Sequence, residues 1–400
     1  MTTHLDVGAA PAAPLPAAGP AGGRDRRGSW IPTGRMISTR LMELRKRRGL
    51  MIALVVVIIG IPTVFLVIRL LTHAFDPKSY GPAGGYDIFT SLVAGVLYVF
   101  GFIMAATLGC TAGSVDLSDG MFRHLVVTGR SRLALYLARI PAGLAIILSL
   151  IAVGFTIVCA VCVFAAPTAL NYDGATLPAG MSRSALATWA VDHPDEVICD
   201  FGFQIGPSTP NAATINQVVS AVPCGNGPGP EAITKQPPGV QAAPQPSTAQ
   251  IKDTARWIAN YNYADYHKTF LSPSTSLMIK SGLWLELEAT IGFIVGLGLA
   301  SLLGQRTVAV ILVIVLEVIL TPILARARIP HLANLQRSVV GLATAHLEPG
   351  GLPAAFGGMG SGNGMSRILP ESTTVAVCVI LAWLIGWTVL GAWRMMTRDA

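Results

Sequence analysis

The chain has 400 residues, of which 52% are hydrophobic and only 12% carry a charged side chain. Soluble domains contain about 25% charged residues, so this composition excludes an ordinary soluble enzyme and indicates a polytopic membrane protein. The net charge of +7 comes from basic residues concentrated beside apolar runs. This is a topology signal, and it gives no reason to expect a nucleic-acid partner.

Six apolar runs are long enough to cross a membrane as helices, which takes about 20 residues for a hydrocarbon core of about 30 Å. Buried helices of a soluble core would rarely give six runs of this length with so little charge. The sequence therefore predicts an all-α polytopic membrane protein. The predicted spans are 50–72, 88–110, 138–166, 282–303, 307–325 and 373–393.

The segment before the first span predicts a tail and a surface helix. Residues 1–34 are rich in Ala, Pro and Gly, which predicts a disordered tail. In residues 36–48, Ile37, Leu41 and Leu44 share one helical face and basic residues crowd around it. Such a helix is expected to lie along the inner membrane surface, attracted by anionic lipid. Its polar candidates are Arg40, Glu43, Arg45 and Lys46.

Lysine and arginine lie mainly on one side of the predicted spans. Nine precede the first span and four follow the second, whereas the opposite loop, 73–87, carries only Lys78. Basic flanks stay in the cytoplasm, and six crossings return the chain to the same side. We therefore expect a multi-pass membrane protein with both termini cytoplasmic.

Two external segments are too long to be plain connectors. Residues 168–280, between spans 3 and 4, predict an extracytoplasmic insertion. Within it, residues 247–271 predict a helix that packs on the outer membrane surface or acts as a substrate-capturing lid. In the external segment 326–372, residues 331–347 predict an interfacial or re-entrant helix. The predicted divisions are the tail at 1–34, spans 1–3 with the surface helix at 35–167, the insertion at 168–280, and spans 4–6 at 281–400.

Two of the six cysteines, Cys199 and Cys224, fall in the insertion. In an oxidising exterior a disulfide between them would close a loop of about 26 residues and stabilise it by about 3 kcal/mol. The spacing permits this bridge and equally permits two free thiols.

The chain contains none of the common motifs for nucleotide hydrolysis, metal binding or nucleophilic catalysis. G-x-x-x-x-G-K-[ST], H-E-x-x-H and G-x-S-x-G are absent, and no Cys/His cluster has metal-ligand spacing. We therefore expect no catalytic residue, metal site or cofactor in this chain.

Ionisable residues inside predicted spans are functional candidates, because each costs about 3 kcal/mol or more at mid-bilayer. Glu317, midway along span 5, is expected either to face a pathway or to pair with a polar group of a neighbouring span. Glu286 and Glu288 of span 4 are expected nearer the outer interface, in contact with water or headgroups. Gly292 and Gly296 form a G-x-x-x-G that allows close helix contact, as in a dimer seam.

The loop after span 2 carries an ordered set of polar residues, with an apolar run at 125–127 in its middle. In chain order they are Asp116, Asp119, Gly120, Phe122, Arg123, Gly129, Arg132 and Arg139. This loop, the surface helix, the six spans and the short helices between spans 5 and 6 together resemble the permease subunits of type-2 ABC exporters. That family shows an acidic residue, Gly-Thr-x-Arg, an apolar run, Pro or Gly, and further basic residues at these positions. Met121 and Phe122 depart from the usual Thr-Leu, and the resemblance does not extend to the insertion.

The resemblance implies a transport subunit that is not itself an enzyme. Such permeases assemble as homodimers or heterodimers in the lipid bilayer of a bacterial cytoplasmic (inner or plasma) membrane, with separate cytoplasmic ABC ATPase subunits that bind ATP and Mg. The loop at 114–132 would then be the coupling helix that docks on the ATPase. The positive-inside rule alone would explain its arginines, but not an acidic pair followed by an apolar run.

Two other functions stay open on the sequence. A membrane-bound transferase would act through the insertion, where metal-ligand residue types cluster at Asp192, His193, Asp195, Glu196 and Asp200, although acid-rich turns are more often solvated loops. A sensor would use the insertion to bind a ligand. No residue identifies the substrate of a transporter.

Overall fold

A computed structural model of the protein describes residues 31–75, 82–118, 131–172, 175–201, 212–222, 246–326, 333–350, 352 and 371–397. Six helices in these ranges are long and apolar enough to cross a membrane. We number them spans 1 to 6: Arg48–Phe75, Tyr86–Ser114, Arg132–Phe164, Thr275–Leu303, Arg306–Leu324 and Thr373–Thr397. Each overlaps one predicted span, so the all-α polytopic architecture is confirmed.

Spans 1, 2 and 5 each contain a short π-helical segment, at Val56–Gly60, Leu92–Leu97 and Val315–Leu320. A π-helical turn changes the direction in which the following side chains point, and such turns are frequent at functional sites. The α-helical parts on either side are Arg48–Val55 and Ile61–Phe75, Tyr86–Ser91 and Tyr98–Ser118, and Arg306–Ile314 and Thr321–Arg326. Span 3 consists of Arg132–Leu137 and Arg139–Phe164.

Span 4 is the central helix of the bundle. In its most apolar window 72% of the residues are buried, against 22% in spans 1 and 6, and it contacts spans 2, 3, 5 and 6. A Cβ added to Gly109 of span 2 would lie 2.1 Å from the carbonyl oxygen of Phe293, and one on Gly296 would lie 2.4 Å from that of Ala106. Spans 2 and 4 therefore pack backbone against backbone. The G-x-x-x-G of span 4 forms a seam inside the monomer, and its assignment to a dimer seam is wrong.

The spans alternate in direction and give the bundle two distinct ends. Arg47 before span 1, Ser114 at the end of span 2 and Arg306 at the start of span 5 line a common cleft of about 390 Å³. We call this the basic end. At the opposite end, the insertion end, the backbone N–H of Gly85 donates to the carbonyl of Cys162 near the end of span 3 at 2.9 Å.

The helix predicted at 36–48 is present at the basic end as α1, Gly34–Lys46. It is amphipathic, with Met36 and Leu44 buried. Met36 and Ile37 pack against apolar residues at the start of span 3, among them Leu135. Helix α1 is therefore attached to span 3 as well as to span 1, which follows it directly.

The insertion between spans 3 and 4 has a hydrophobic core of its own. A two-stranded antiparallel pair that the sequence did not predict, β1 (Ala169–Tyr172) and β2 (Ala175–Pro178), places Ala169 opposite Pro178. The described residues after this pair form five helices: α2 Arg183–Asp192, α3 Pro194–Phe201, α4 Ala212–Ala221, α5 Thr248–Tyr261 and α6 Tyr263–Thr269. The core includes Leu177, Leu186, Val197, Ile198, Val218, Ile258 and Tyr266.

The helix predicted within 247–271 is present as α5, but its predicted packing on the membrane surface is wrong. It begins with a capping box in which Ser247 and Gln250 satisfy each other's backbone N–H groups. Its apolar side chains Ala255 and Ile258 are fully buried in the insertion core, where α5 contacts α2 and α3. These apolar side chains therefore hold the insertion together.

The helix predicted at 331–347 is divided into α7, Ala333–Ser338, and α8, Val340–Ala345. Val339 between them has an extended backbone (φ −82°, ψ 124°), so the single predicted helix is wrong. The side-chain amide of Gln336 donates to the backbone carbonyl of Leu324, which ties α7 to the end of span 5. The break lets α8 turn into the bundle, where Leu342 is buried and α8 contacts span 6.

Candidate functional site

The predicted coupling loop is described only at its two edges. Asp116 lies just beyond span 2, in the same helix, which continues to Ser118. Arg132 and Arg139 lie at the start of span 3. The other predicted residues of the loop lie outside the described part of the chain: Asp119, Gly120, Phe122, Arg123 and Gly129.

Arg132 and Arg139 fix the start of span 3 to two other spans. Arg139 is only 2% exposed, and its Nη1 donates to the backbone carbonyl of Gly113 in span 2 at 3.3 Å. Nη1 of Arg132 donates to the carbonyl of Met396 at the end of span 6 at 3.2 Å. The C-terminal end of a helix carries partial negative charge, which favours Arg132 beside the last turn of span 6. The loop therefore connects two spans that are linked to each other, and to span 6, by these hydrogen bonds. We call the linked ends of spans 2, 3 and 6 the frame.

Helix α1 places its predicted polar residues beside this frame. Arg40 and Glu43 form an ion pair with an N–O distance of 2.6 Å. Arg45 and Lys46 are exposed in the last turn, where cations complement the helix dipole. Because α1 also packs on the start of span 3, the surface helix and the loop exit share one attachment point.

Glu317, the predicted intramembrane candidate, is 4% exposed and lies in the π-helical segment of span 5. The Tyr98 hydroxyl donates to its Oε1 at 3.4 Å, and the Thr321 hydroxyl lies 3.4 Å from its Oε2. Both distances are long compared with about 2.7–2.8 Å for a typical O–H···O bond. A Cβ on Gly341 would lie 2.1 Å from Oε1, so the backbone of α8 packs directly on this carboxyl group.

Glu288 is more deeply buried than the sequence predicted. It is 2% exposed and sits near the middle of span 4, whereas Glu286 is partly exposed. The expectation that Glu288 contacts water or headgroups is wrong. Residues four and eight positions apart share a helix face, so Glu288 lies on the face of Gly292 and Gly296, which packs against span 2.

Two aromatic rings and α8 complete the surroundings of these carboxyl groups. The ring of Trp284, one turn from Glu288, stacks on Tyr98 with centroids 4.9 Å apart and an angle of 11°. Its indole N–H donates to the Thr344 carbonyl in α8 at 3.3 Å. Glu348, beyond α8, interacts electrostatically with Glu288. We call this set the carboxyl site: Tyr98, Trp284, Glu288, Glu317, Thr344 and Glu348.

Sequence reasoning named two members of the carboxyl site, Glu317 as an intramembrane candidate and Glu288 as a residue nearer the outer interface. The spacing of Glu288 from Gly292 and Gly296 was the available signal, since it marks a face for close contact without naming the partner. Tyr98 and Thr344 gave no such signal, since only the packing of span 2 and α8 brings them to the two glutamates.

The acidic cluster of the insertion does not form a metal site in the described residues, where no group of three or more His, Cys, Asp or Glu is arranged to hold an ion. The His193 ring stacks on Trp189 with centroids 4.6 Å apart, and its Nδ1 lies 3.1 Å from the Trp189 carbonyl. This ring therefore packs against the end of α2. The transferase hypothesis gains no support here.

Cys199 of α3 is in a disulfide bond. Its predicted partner, Cys224, lies outside the described residues. The four cysteines in the spans are free thiols: Cys110, Cys159, Cys162 and Cys378.

Comparison of the chain with protein-family models, with curated proteins and with solved structures finds no match. Its function is therefore inferred from the six-span fold, the arginine-linked frame at the basic end and the carboxyl site.

Proposed function

We propose that this chain is the permease subunit of an ATP-driven ABC exporter and works with a separate cytoplasmic ATPase. The observation that carries the proposal is the frame around the loop between spans 2 and 3. Arg139 links span 3 to span 2, Arg132 links it to span 6, and α1 packs on the same segment. A force applied to this loop would therefore move several helices together, as a rigid body.

The orientation proposed here puts the basic end in the cytoplasm, in keeping with the positive-inside rule. The insertion would then be extracytoplasmic. The disulfide of Cys199 supports this side, because disulfides persist in oxidising compartments and are rare in the cytosol. A bacterial cytoplasmic membrane is the proposed location.

A second permease subunit, identical or similar, completes the proposed transporter. Spans 1, 5 and 6 have the least buried apolar windows, between 22% and 28%. Their exposed side chains include Ile52, Phe65, Ile311, Ile319 and Ile385. Such faces suit contact with lipid or with another apolar helix. ATP and Mg would be bound by the partner ATPase, since the nucleotide-binding motif G-x-x-x-x-G-K-[ST] is absent from this chain.

The test is purification of the tagged full-length chain from its native membrane in mild detergent, followed by assays of ATP hydrolysis. We expect an ATPase subunit to be retained, and we expect the double variant Asp119→Asn, Arg123→Ala to lose most of the bound ATPase while still inserting normally. Arg394→Ala, an exposed arginine of span 6 outside the loop, is the matched control.

Two results would oppose the proposal. Retention of the ATPase by the double variant at the wild-type level would remove the docking role of the loop. ATP-independent turnover by the isolated chain would favour the transferase instead.

A further inference from the structure

Glu288 is a buried carboxyl group that accepts no hydrogen bond from the residues that the structure describes. Neither of its oxygens has a hydrogen-bond partner among the described residues. Thr344 lies beside it, and the Thr344 hydroxyl is placed to donate to the Gly341 carbonyl at 3.1 Å rather than to Glu288. A threonine hydroxyl has one proton to donate, so towards Glu288 the Thr344 oxygen can only accept.

Glu317 has the same relation to Thr321. The Thr321 hydroxyl donates to the Leu316 carbonyl at 3.0 Å, a better distance than the 3.4 Å to Glu317 Oε2. Its oxygen is therefore also an acceptor towards the carboxyl group. An acceptor facing an ionised carboxylate is repulsive, whereas a protonated carboxylic acid donates to it.

The other titratable groups around Glu288 add no positive charge in the described structure. Tyr98 faces it from span 2, Glu317 from span 5 and Glu348 from the segment after α8. On that segment, His346 pairs with Glu371 at 3.5 Å.

Ionising two buried acids side by side is costly, and buried acids without a counter-ion become neutral instead. The described residues offer no arrangement for a metal ion. A proton needs no extra volume, so it is the cation that fits this packed site.

We propose that Glu288 and Glu317 form a proton-binding site inside the bundle, with α8 as its cover. Both acids carry a proton near neutral pH, and the proton of Glu317 points towards the Thr321 oxygen. When they release protons to bulk water, the two carboxylates repel each other and require hydration, which loosens α8. Two contacts would be lost: that of Trp284 with the Thr344 carbonyl and that of Gly341 with Glu317. A role of this deprotonation step in transport rests on the proposed function, but proton binding itself does not.

The first experiment is infrared spectroscopy of the purified full chain in detergent, as a pH series in H₂O and D₂O. The stretching band of a protonated carboxylic acid shifts on deuteration, which separates it from lipid esters. We expect Glu288→Gln and Glu317→Gln each to lose the signal of a single acid near neutral pH. Glu286→Gln, a partly exposed acid of the same helix, should leave that band unchanged.

The second experiment follows hydrogen–deuterium exchange of the α8 amides as the pH is raised, after correction for the intrinsic rate. Wild type and Glu286→Gln should lose protection at alkaline pH. The double variant Glu288→Gln, Glu317→Gln should stay protected, because glutamine cannot ionise. An acid band unaffected by both single substitutions would overturn the proton site. Equal loss of α8 protection in wild type and double variant would overturn the role of α8. Neither readout requires an ATPase, so both stand if the exporter assignment fails.

Discussion

Replacing Gly109 by alanine tests the backbone seam between spans 2 and 4. The new Cβ would lie 2.1 Å from the Phe293 carbonyl oxygen and 3.0 Å from the Leu297 nitrogen, both backbone atoms that cannot rotate away. The helices would have to separate by roughly 1 Å to restore normal contact. On the same seam, a Cβ added to Gly113 would lie 2.6 Å from a backbone carbonyl oxygen. Separating the helices would therefore loosen the packing over several turns.

Overpacking of this kind costs about 1–3 kcal/mol. The matched control is Gly386→Ala in span 6, where an added Cβ meets nothing within 4 Å. There alanine gains roughly 0.5–1 kcal/mol from its higher helix propensity. Gly109 also lies inside a helix, so this gain is common to both variants, which should differ in free energy of unfolding by the overpacking cost of about 2 kcal/mol, with Gly109→Ala the less stable. For a bundle of this size the difference corresponds to roughly 4–8 °C in the melting midpoint.

The assay is thermal unfolding of both purified variants in one detergent, followed by size-exclusion chromatography of the soluble fraction. A Gly109→Ala midpoint equal to that of Gly386→Ala would refute the backbone contact. Gly109→Ser should behave like alanine, because the clash arises at Cβ.

Two further predictions concern the insertion. Tyr266 donates to the Pro178 carbonyl at 2.7 Å and accepts from the Met181 N–H at 2.9 Å, so Tyr266→Phe should lower stability by about 1 kcal/mol. Burial raises the pKa of Tyr266 above its unfolded value, so its contribution is complete below about pH 10 and is lost as the pH rises through the folded pKa. A pH series of near-UV circular dichroism should show this alkaline loss in wild type and less of it in the phenylalanine variant, and identical curves would contradict the assignment. Cys199→Ser should destabilise the insertion by about 3 kcal/mol and make its unfolding insensitive to reductant, whereas Cys378→Ser, an exposed free thiol, should change neither.

The glycines and acids of span 4 show how much of the packing can be predicted from helical periodicity. The sequence places Gly292 and Gly296 on one face and marks that face for close contact. It does not tell whether the contact is with span 2 of the same chain or with a second subunit, because both partners are apolar helices. The same uncertainty hid Glu288, whose burial follows only once span 2 occupies that face.

The external segment 326–372 shows more clearly what a local sequence pattern cannot predict. Residues 331–347 have a helical pattern, yet the extended backbone at Val339 divides them. The break allows a tertiary contact that a continuous helix would not make, since it lets α8 cover Glu317. A local pattern carries no information about a partner that arrives from another span.

The sequence by itself determined the six spans, the amphipathic helix before them and the presence of a large insertion, because length, apolar content and charge are local properties that a bilayer reads directly. Only the tertiary structure decided that Tyr98, Glu288, Glu317 and Thr344 meet, that Arg132 and Arg139 join three spans, and that α5 supports the insertion core. Those contacts link residues far apart in the chain, and they depend on how closely backbones approach at particular glycines.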